Sequence, residues 1–304
     1  MNGRGEATAY GAVTMVNALA TGKGAAFGID LWTKATVELS DDKTIETIIL
    51  NEKNESTLLV EKCVRAVLDH FGEKTLGAKV QTESTIPIAK GLKSSSVAGN
   101  AVVLATLAAL DKHLDLDDVL KLVVNASLEA KVSVTGAFDD ASASLYGNVV
   151  VTDNIARKVL RTFPVEEYCV VILVPPEKRY TIDVDLTRIK TIAKQVEIAH
   201  NEALNGNYWN AMTLNALIYS GALRLPTDII IEILKTGAVA AGISGKGPAY
   251  AFVVKEELKD SVLRILGEHE GQLIVTKTRR HPSVLTSSFV QEGLSTIGDN
   301  DTPQ

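Results

Sequence analysis

A chain of 304 residues is longer than one ordinary hydrophobic core, so two domains are the first expectation. Its 46% apolar and 22% charged residues are the balance of a soluble globular protein, and a net charge of −6 with no Lys/Arg run excludes the electrostatic footprint of a nucleic-acid or membrane-surface binder. Cys63 and Cys169 lack metal-like spacing, and no signal-like or membrane-spanning apolar stretch is present, which points to a reducing, cytoplasmic setting.

In chain order, Ala7 to Leu19 and Ala35 to Leu39 read as strands, joined by a connection carrying Gly22, Gly24 and Gly28. Glu55 to Phe71 has a helical apolar period closed by Gly72. Val80 to Ile86 is a strand, and the apolar run Val97 to Leu110 is long enough to be a buried helix. Asp117 to Lys131 is a second helix with Leu120, Val123, Val124 and Leu128 on one face. A short helix, Phe138 to Leu145, and a strand, Asn148 to Thr152, follow. The polar stretch Asp153 to Pro164 marks a boundary, giving domains at 1–155 and 156–290. Beyond it, Cys169 to Val174 is an apolar strand stopped by Pro175-Pro176. Leu186 to Ala203, Tyr208 to Leu223 and Ile229 to Lys235 are helices. The strands Ala249 to Val254 and Leu273 to Thr278 flank a helix at Leu258 to Leu266, an α+β order. The polar tail 291–304 is expected to be disordered.

The most informative stretch is Pro87-Ile88-Ala89-Lys90-Gly91-Leu92-Lys93-Ser94-Ser95-Ser96, between strand and buried helix. N–H groups at a helix start lack intrahelical acceptors and sit at the positive end of the helix dipole, and a phosphate answers both deficits. Lys93 adds a mobile cation, and the serine hydroxyls offer hard oxygen to Mg²⁺. The same residues also fit an ordinary N-cap preceded by a turn glycine. A second segment, Gly242-Ile-Ser-Gly245-Lys-Gly247-Pro248, carries three glycines in six residues, as where backbone must approach something closely, or as in a plain loop. It is no Walker A motif, because Ala240 stands where the first glycine belongs and Lys246 is not followed by Ser or Thr. Gly3-Arg-Gly5 meets Thr8 where a dinucleotide fingerprint needs glycine. In the third segment, Thr135-Gly-Ala-Phe-Asp139-Asp140, adjacent carboxylates at a helix start point in different directions, so one can cap the helix while the other reaches a reaction centre. Glu129, near the end of the preceding helix, opposes the helix dipole unless Mg²⁺ or a basic neighbour such as Lys131 compensates.

Jointly, the serine loop and the Gly242–Pro248 segment resemble the phosphate loop and glycine-rich third motif of the GHMP kinase superfamily. Asn17-Ala-x-Ala-x-Gly22-Lys-Gly-Ala-Ala-x-Gly28-Ile-Asp30 and Thr135-Gly-Ala-Phe-Asp-Asp140 narrow the likeness to its archaeal-type shikimate kinases, over roughly residues 4 to 278. The resemblance implies an α+β, two-domain fold with an N-terminal domain like ribosomal protein S5 domain 2 and a ferredoxin-like C-terminal domain. It implies ATP in the cleft between them and transfer of its γ-phosphate to the 3-hydroxyl of shikimate. Phosphate contacts carry over to Pro87 through Ser96 with Gly245 and Gly247, magnesium ligands to Ser95 and Glu129, and the base to Asp139. Asp140 stands where relatives often have Asn, and Lys93 where many have a small residue. For the acceptor, Arg4, Lys23 and Arg279 are available cations, and Asn17 and Asp30 flank the glycine-rich connection. The alternatives are another small-molecule GHMP kinase, such as homoserine kinase, or a nucleotide-binding regulator that kept the fold without catalysis.

Overall fold

The computed structural model describes residues 3–50, 55–88, 90–133, 136–176 and 185–285. Ala89, Thr135 and the tail 291–304 lie outside the described residues.

The spine of the first half is a hairpin of β1 (Arg4–Val16) and β2 (Lys23–Ser40), paired from Arg4 opposite Glu38 to Val16 opposite Ala25. At 18 residues, β2 is long enough to serve two partners along its other edge. Its far half pairs with β4 (Gly77–Ser84) and its near half with β5 (Val149–Asp153). β3 (Ile45–Ile49) adds parallel to β4, and β6 (Lys158–Phe163) adds antiparallel to β5. The two-residue β11 (Val284–Leu285) returns to the outer edge of β1. Helices α2 (Ser94–Ala109) and α4 (Phe138–Tyr146) lie on β1 and β2, with α1 (Leu58–His70) and α3 (Leu116–Glu129) packed outside α2. Enclosed between sheet and helices, α2 is mostly apolar beyond its opening serines, and its buried Asn100 and Thr106 donate to Ala141 O and Val102 O.

The second sheet contains β7 (Cys169–Val174), β8 (Ala240–Ile243), β9 (Tyr250–Val254) and β10 (Gln272–Lys277). Its order is β10-β7-β9-β8, antiparallel throughout. Between β7 and β8 run α5 (Leu186–Lys190), α6 (Ala193–Leu204), α7 (Tyr208–Leu223) and α8 (Asp228–Lys235), and α9 (Lys259–Leu266) joins β9 to β10. Strand, helices, two strands, helix, strand in this order is the ferredoxin-like arrangement. α7 packs on both β8 and β1, and its Trp209 meets Phe27 of β2 edge-on at 5.3 Å, so it joins the two halves. Among the described residues no helix is long and apolar enough to cross a membrane.

Several elements differ from the sequence expectation, each for a local reason. Gly24 and Gly28 are not in a connection; both lie inside β2. The helix expected over Leu186 to Ala203 is two helices, because the Thr191 hydroxyl donates to Arg188 O at 2.7 Å and Ile192 N–H donates to Ile189 O, tightening the turn. The polar stretch expected as a boundary holds β6, an edge strand largely exposed on both faces, which explains its polarity. The chain changes sheets between Phe163 and Cys169, rather than at 155, and β11 brings the end of the expected second domain back to the first sheet. β3 and β8 are short strands that the sequence pattern did not indicate.

Candidate active site

The serine loop does not cap its helix. The capping position of α2 is Lys93, in the left-handed conformation (φ 65°), with no side-chain hydrogen bond to the helix start and no acidic residue in the first turn. α3, by contrast, is capped by Asp115, whose carboxylate accepts from Asp118 N–H, and its first turn holds two further acids. No side-chain cap from Lys93 and no acid of the first turn offsets the positive end of α2, an arrangement that can receive an anion. Ser94 and Ser95 are half-buried there, while Ser96 turns inward and Leu92 anchors the loop in the core.

The glycine-rich segment closes against this loop. Gly91 has φ of 86°, and a Cβ on it would lie 2.4 Å from Ser244 O, so both conformation and space require glycine. The Ser244 hydroxyl donates to Gly91 O at 2.7 Å. Gly245 is clamped to the first sheet: its N–H donates to Thr14 Oγ1 at 2.9 Å and its carbonyl accepts from Asn17 Nδ2 at 2.7 Å. Gly247 N–H donates back to Ser244 O at 3.0 Å, forming the turn. Lys90 reaches the end of β7 and donates to Pro175 O at 2.9 Å.

Asp139 and Asp140 sit in the first turn of α4, after Ala137 in the left-handed conformation (φ 50°). Neither caps the helix, contrary to expectation; both turn inward. Asp140 Oδ2 pairs with Lys93 Nζ at 2.8 Å, joining the acid segment to the serine loop in an almost fully buried ion pair. Burial foremost, and the charge of Asp139 next, push the Asp140 carboxyl up to about 7, against the opposing pull of Lys93. Asp139 Oδ1 instead accepts from Asn154 Nδ2 at 2.7 Å. Gly24 makes room for it: a Cβ there would stand 2.7 Å from Asp139 Oδ2, which is why a glycine interrupts the middle of a strand.

The remaining expected residues are each engaged by another partner. Glu129 ends α3 with its side chain 61% exposed and pairs with Lys62 of α1 at 3.1 Å. Asn17 is buried, its amide engaged by Gly245 O and by Leu19 N–H, so it acts as a clasp between the β1–β2 turn and the glycine-rich segment. Asp30 is a correction. It pairs with Arg279 at 2.9 Å, and the run of strand from Gly24, with five residues between, places it about 20 Å from Asp139. Arg279 is likewise occupied there, over the Tyr10 ring. Arg4 pairs with Glu6 and Glu38 beside the C-terminal turns of α2, the end away from the serine loop. Lys23 does stay near, next to Gly24, in an ion pair with Glu197 at 3.0 Å. Thr14, Thr152, Asn154 and Ser244 were not expected as contacts, because small polar residues in or beside strands carry no signal in a single sequence; nor was Tyr219 of α7, whose hydroxyl donates to Asn17 O at 3.0 Å but which reads as an ordinary core aromatic. Among the described residues no three His, Cys, Asp or Glu side chains gather as a metal cluster.

Known proteins resemble the chain along nearly its whole length. Residues 58–148 match the GHMP kinases N terminal domain family. The shikimate kinase of Methanothrix thermoacetophila is 43% identical over 292 residues, 96% of this chain and 100% of that protein. That of Pyrococcus furiosus is 40% identical over 277 residues, 91% of this chain and 100% of that protein. The homoserine kinase structure from Cytophaga hutchinsonii superposes with a TM-score of 0.74 at 18% identity, covering 94% of this chain and 98% of that one, a likeness of fold. The chain belongs to the GHMP kinases, in the group of the archaeal shikimate kinases.

Proposed function

We propose that this chain transfers the γ-phosphoryl group of ATP to the 3-hydroxyl of shikimate. The observation that carries the proposal is the meeting of three loops far apart in sequence: the uncapped start of α2, the Ser244–Gly247 turn locked onto Gly91, and the acid pair reached through Lys93. Phosphoryl transfer asks the protein for charge neutralisation and an acceptor held in line, with little covalent work. The N–H groups of Ser94 to Ser96 take the phosphate oxygens. Lys93 lies between those oxygens and Asp140, and Asp139 orients the acceptor hydroxyl and receives its proton late in transfer. The buried, free Cys63 and Cys169 suit a reducing cytoplasm.

The donors present fit Mg²⁺ only in the mode typical of that ion, one or two protein ligands completed by phosphate oxygens and water. Ser95 and Glu129 would hold it, with Glu129 exchanging Lys62 for the metal. Mg²⁺ bound there would supply neutralisation of the charge on the transferring phosphate. Ser95→Ala is expected to raise the Mg²⁺ concentration for half-maximal rate several-fold, whereas Ser96→Ala, at a buried hydroxyl, leaves it near wild type. Matching magnesium titrations for the two variants would remove Ser95 from the metal.

The acceptor is tested by ADP release with shikimate, homoserine and mevalonate in parallel. Turnover with shikimate alone is expected. Activity with homoserine alone would move the assignment to that kinase, and thermal stabilisation by ATP without ADP release would favour a regulator.

A further inference from the structure

Asp139 is held by groups that lie outside both phosphate-binding loops. An ionised carboxylate can only accept, so the part of Asn154 facing it is the amide NH₂, donating to Oδ1. The Asn154 oxygen is thereby turned to the other side, where Thr152 Oγ1 donates to it at 2.8 Å. Thr152 is fully buried, and Asn154 and Asp139 nearly so, which leaves bulk water little access to compete for these bonds. Thr152 pairs with Gly24 in the sheet, so its side chain shares the face on which α4 and Asp139 rest. The Asn154 backbone N–H donates to Gly22 O at 2.8 Å, and Asp153 accepts from the N–H groups of Ile155 and Ala156, turning the chain immediately after Asn154. Main chain and side chain together leave this amide one orientation.

We infer that Thr152 and Asn154 are positioning residues for Asp139: a two-bond chain that sets the rotamer of the carboxylate and presents it as a proton acceptor. The inference rests on Asp139 being the base, as proposed above. Without the Thr152 hydroxyl the amide loses the bond that fixes its sense, and its oxygen can turn toward the carboxylate. Without the Asn154 amide, Asp139 Oδ1 loses the donor that holds it.

The test compares Asn154→Ala, Thr152→Val and Thr152→Ser in steady-state phosphorylation of shikimate, with Asp139→Asn alongside. Losing a hydrogen bond to a charged group predicts a fall in kcat of about 10- to 100-fold for Asn154→Ala. About tenfold is expected for Thr152→Val by the same reasoning, one bond further from the reacting proton. KM for ATP should stay within about twofold of wild type in both, because the phosphate loop is untouched, and Thr152→Ser should restore kcat. Should Asn154→Ala not fold, the Val and Ser pair at Thr152 still decides the matter. A kcat within about twofold of wild type in Thr152→Val, or a rise in KM for ATP that matches the fall in kcat, would overturn the positioning role. If Asp139→Asn itself turns over normally, the base assignment fails. If Asp139→Asn is impaired and the other variants are not, only the positioning chain fails.

Discussion

Asp139→Asn is expected to lower kcat by about 10² to 10⁴, the usual contribution of a positioned general base, while ATP affinity stays near wild type. The prediction separates the two adjacent acids. Asp140 is committed to Lys93 at 2.8 Å, and burial together with its neighbour's charge holds its proton affinity high. Asp139 is braced by Asn154 rather than by a cation, so its charge is not already neutralised by a partner lysine. The substituted amide keeps the shape of the carboxylate, and its oxygen can still accept from Asn154, so the fold around α4 should survive. What it loses is the ability to take a proton. ADP release with saturating shikimate measures the rate, and calorimetric titration with ATP measures the affinity. Near-normal turnover would pass the base role to Asp140 or remove it from this turn altogether.

Local chemistry was legible in the sequence, and contacts between distant segments were not. The turn at Gly91 and the serine-opened start of α2 were legible because a positive-φ glycine followed by a helix N-terminus is a local arrangement. Cys169–Val174 matches its expected bounds because an unbroken apolar run stopped by two prolines can be little else than a buried strand. The glycines of β2 misled for the opposite reason. Gly24 looks like turn punctuation, and only the approach of Asp139 from α4 explains it inside a strand. Ser244 meets Gly91 across 153 residues, and Asn154 meets Asp139 only because β5 lies beside the start of β2. Asp30 and Arg279 each offered a plausible charge to an acceptor, yet their mutual ion pair uses both. β6 was hidden because an edge strand exposed on both faces has the composition of a linker.

Lys93→Met is expected to destabilise the fold as well as slow the reaction, and the loss should depend on pH. Removing one partner of a buried ion pair strands the other charge, at a cost of about 3 to 5 kcal/mol. For a chain of this size that corresponds to a melting temperature lower by about 10 °C. The sign follows from Asp140. Its carboxyl is raised in the folded protein above the ordinary value of 3.8, so the folded state binds this proton more readily than the unfolded one. Its contribution to stability is therefore fully present below about pH 4 and declines as pH rises toward the folded value of about 7. Lys93 opposes that rise in the wild type. Without it, Asp140 either keeps a costly proton or carries an unpaired charge, so the gap between variant and wild type should widen from about pH 5 to 8 and narrow in acid. Melting curves of both proteins across that range test the idea. Adding Asp140→Asn to Lys93→Met removes the stranded charge and should recover most of the lost stability at pH 8 without recovering turnover. A gap that ignores pH, or a double variant no more stable than the single one, would mean that Lys93 supports the loop through packing and that the ion pair with Asp140 contributes little.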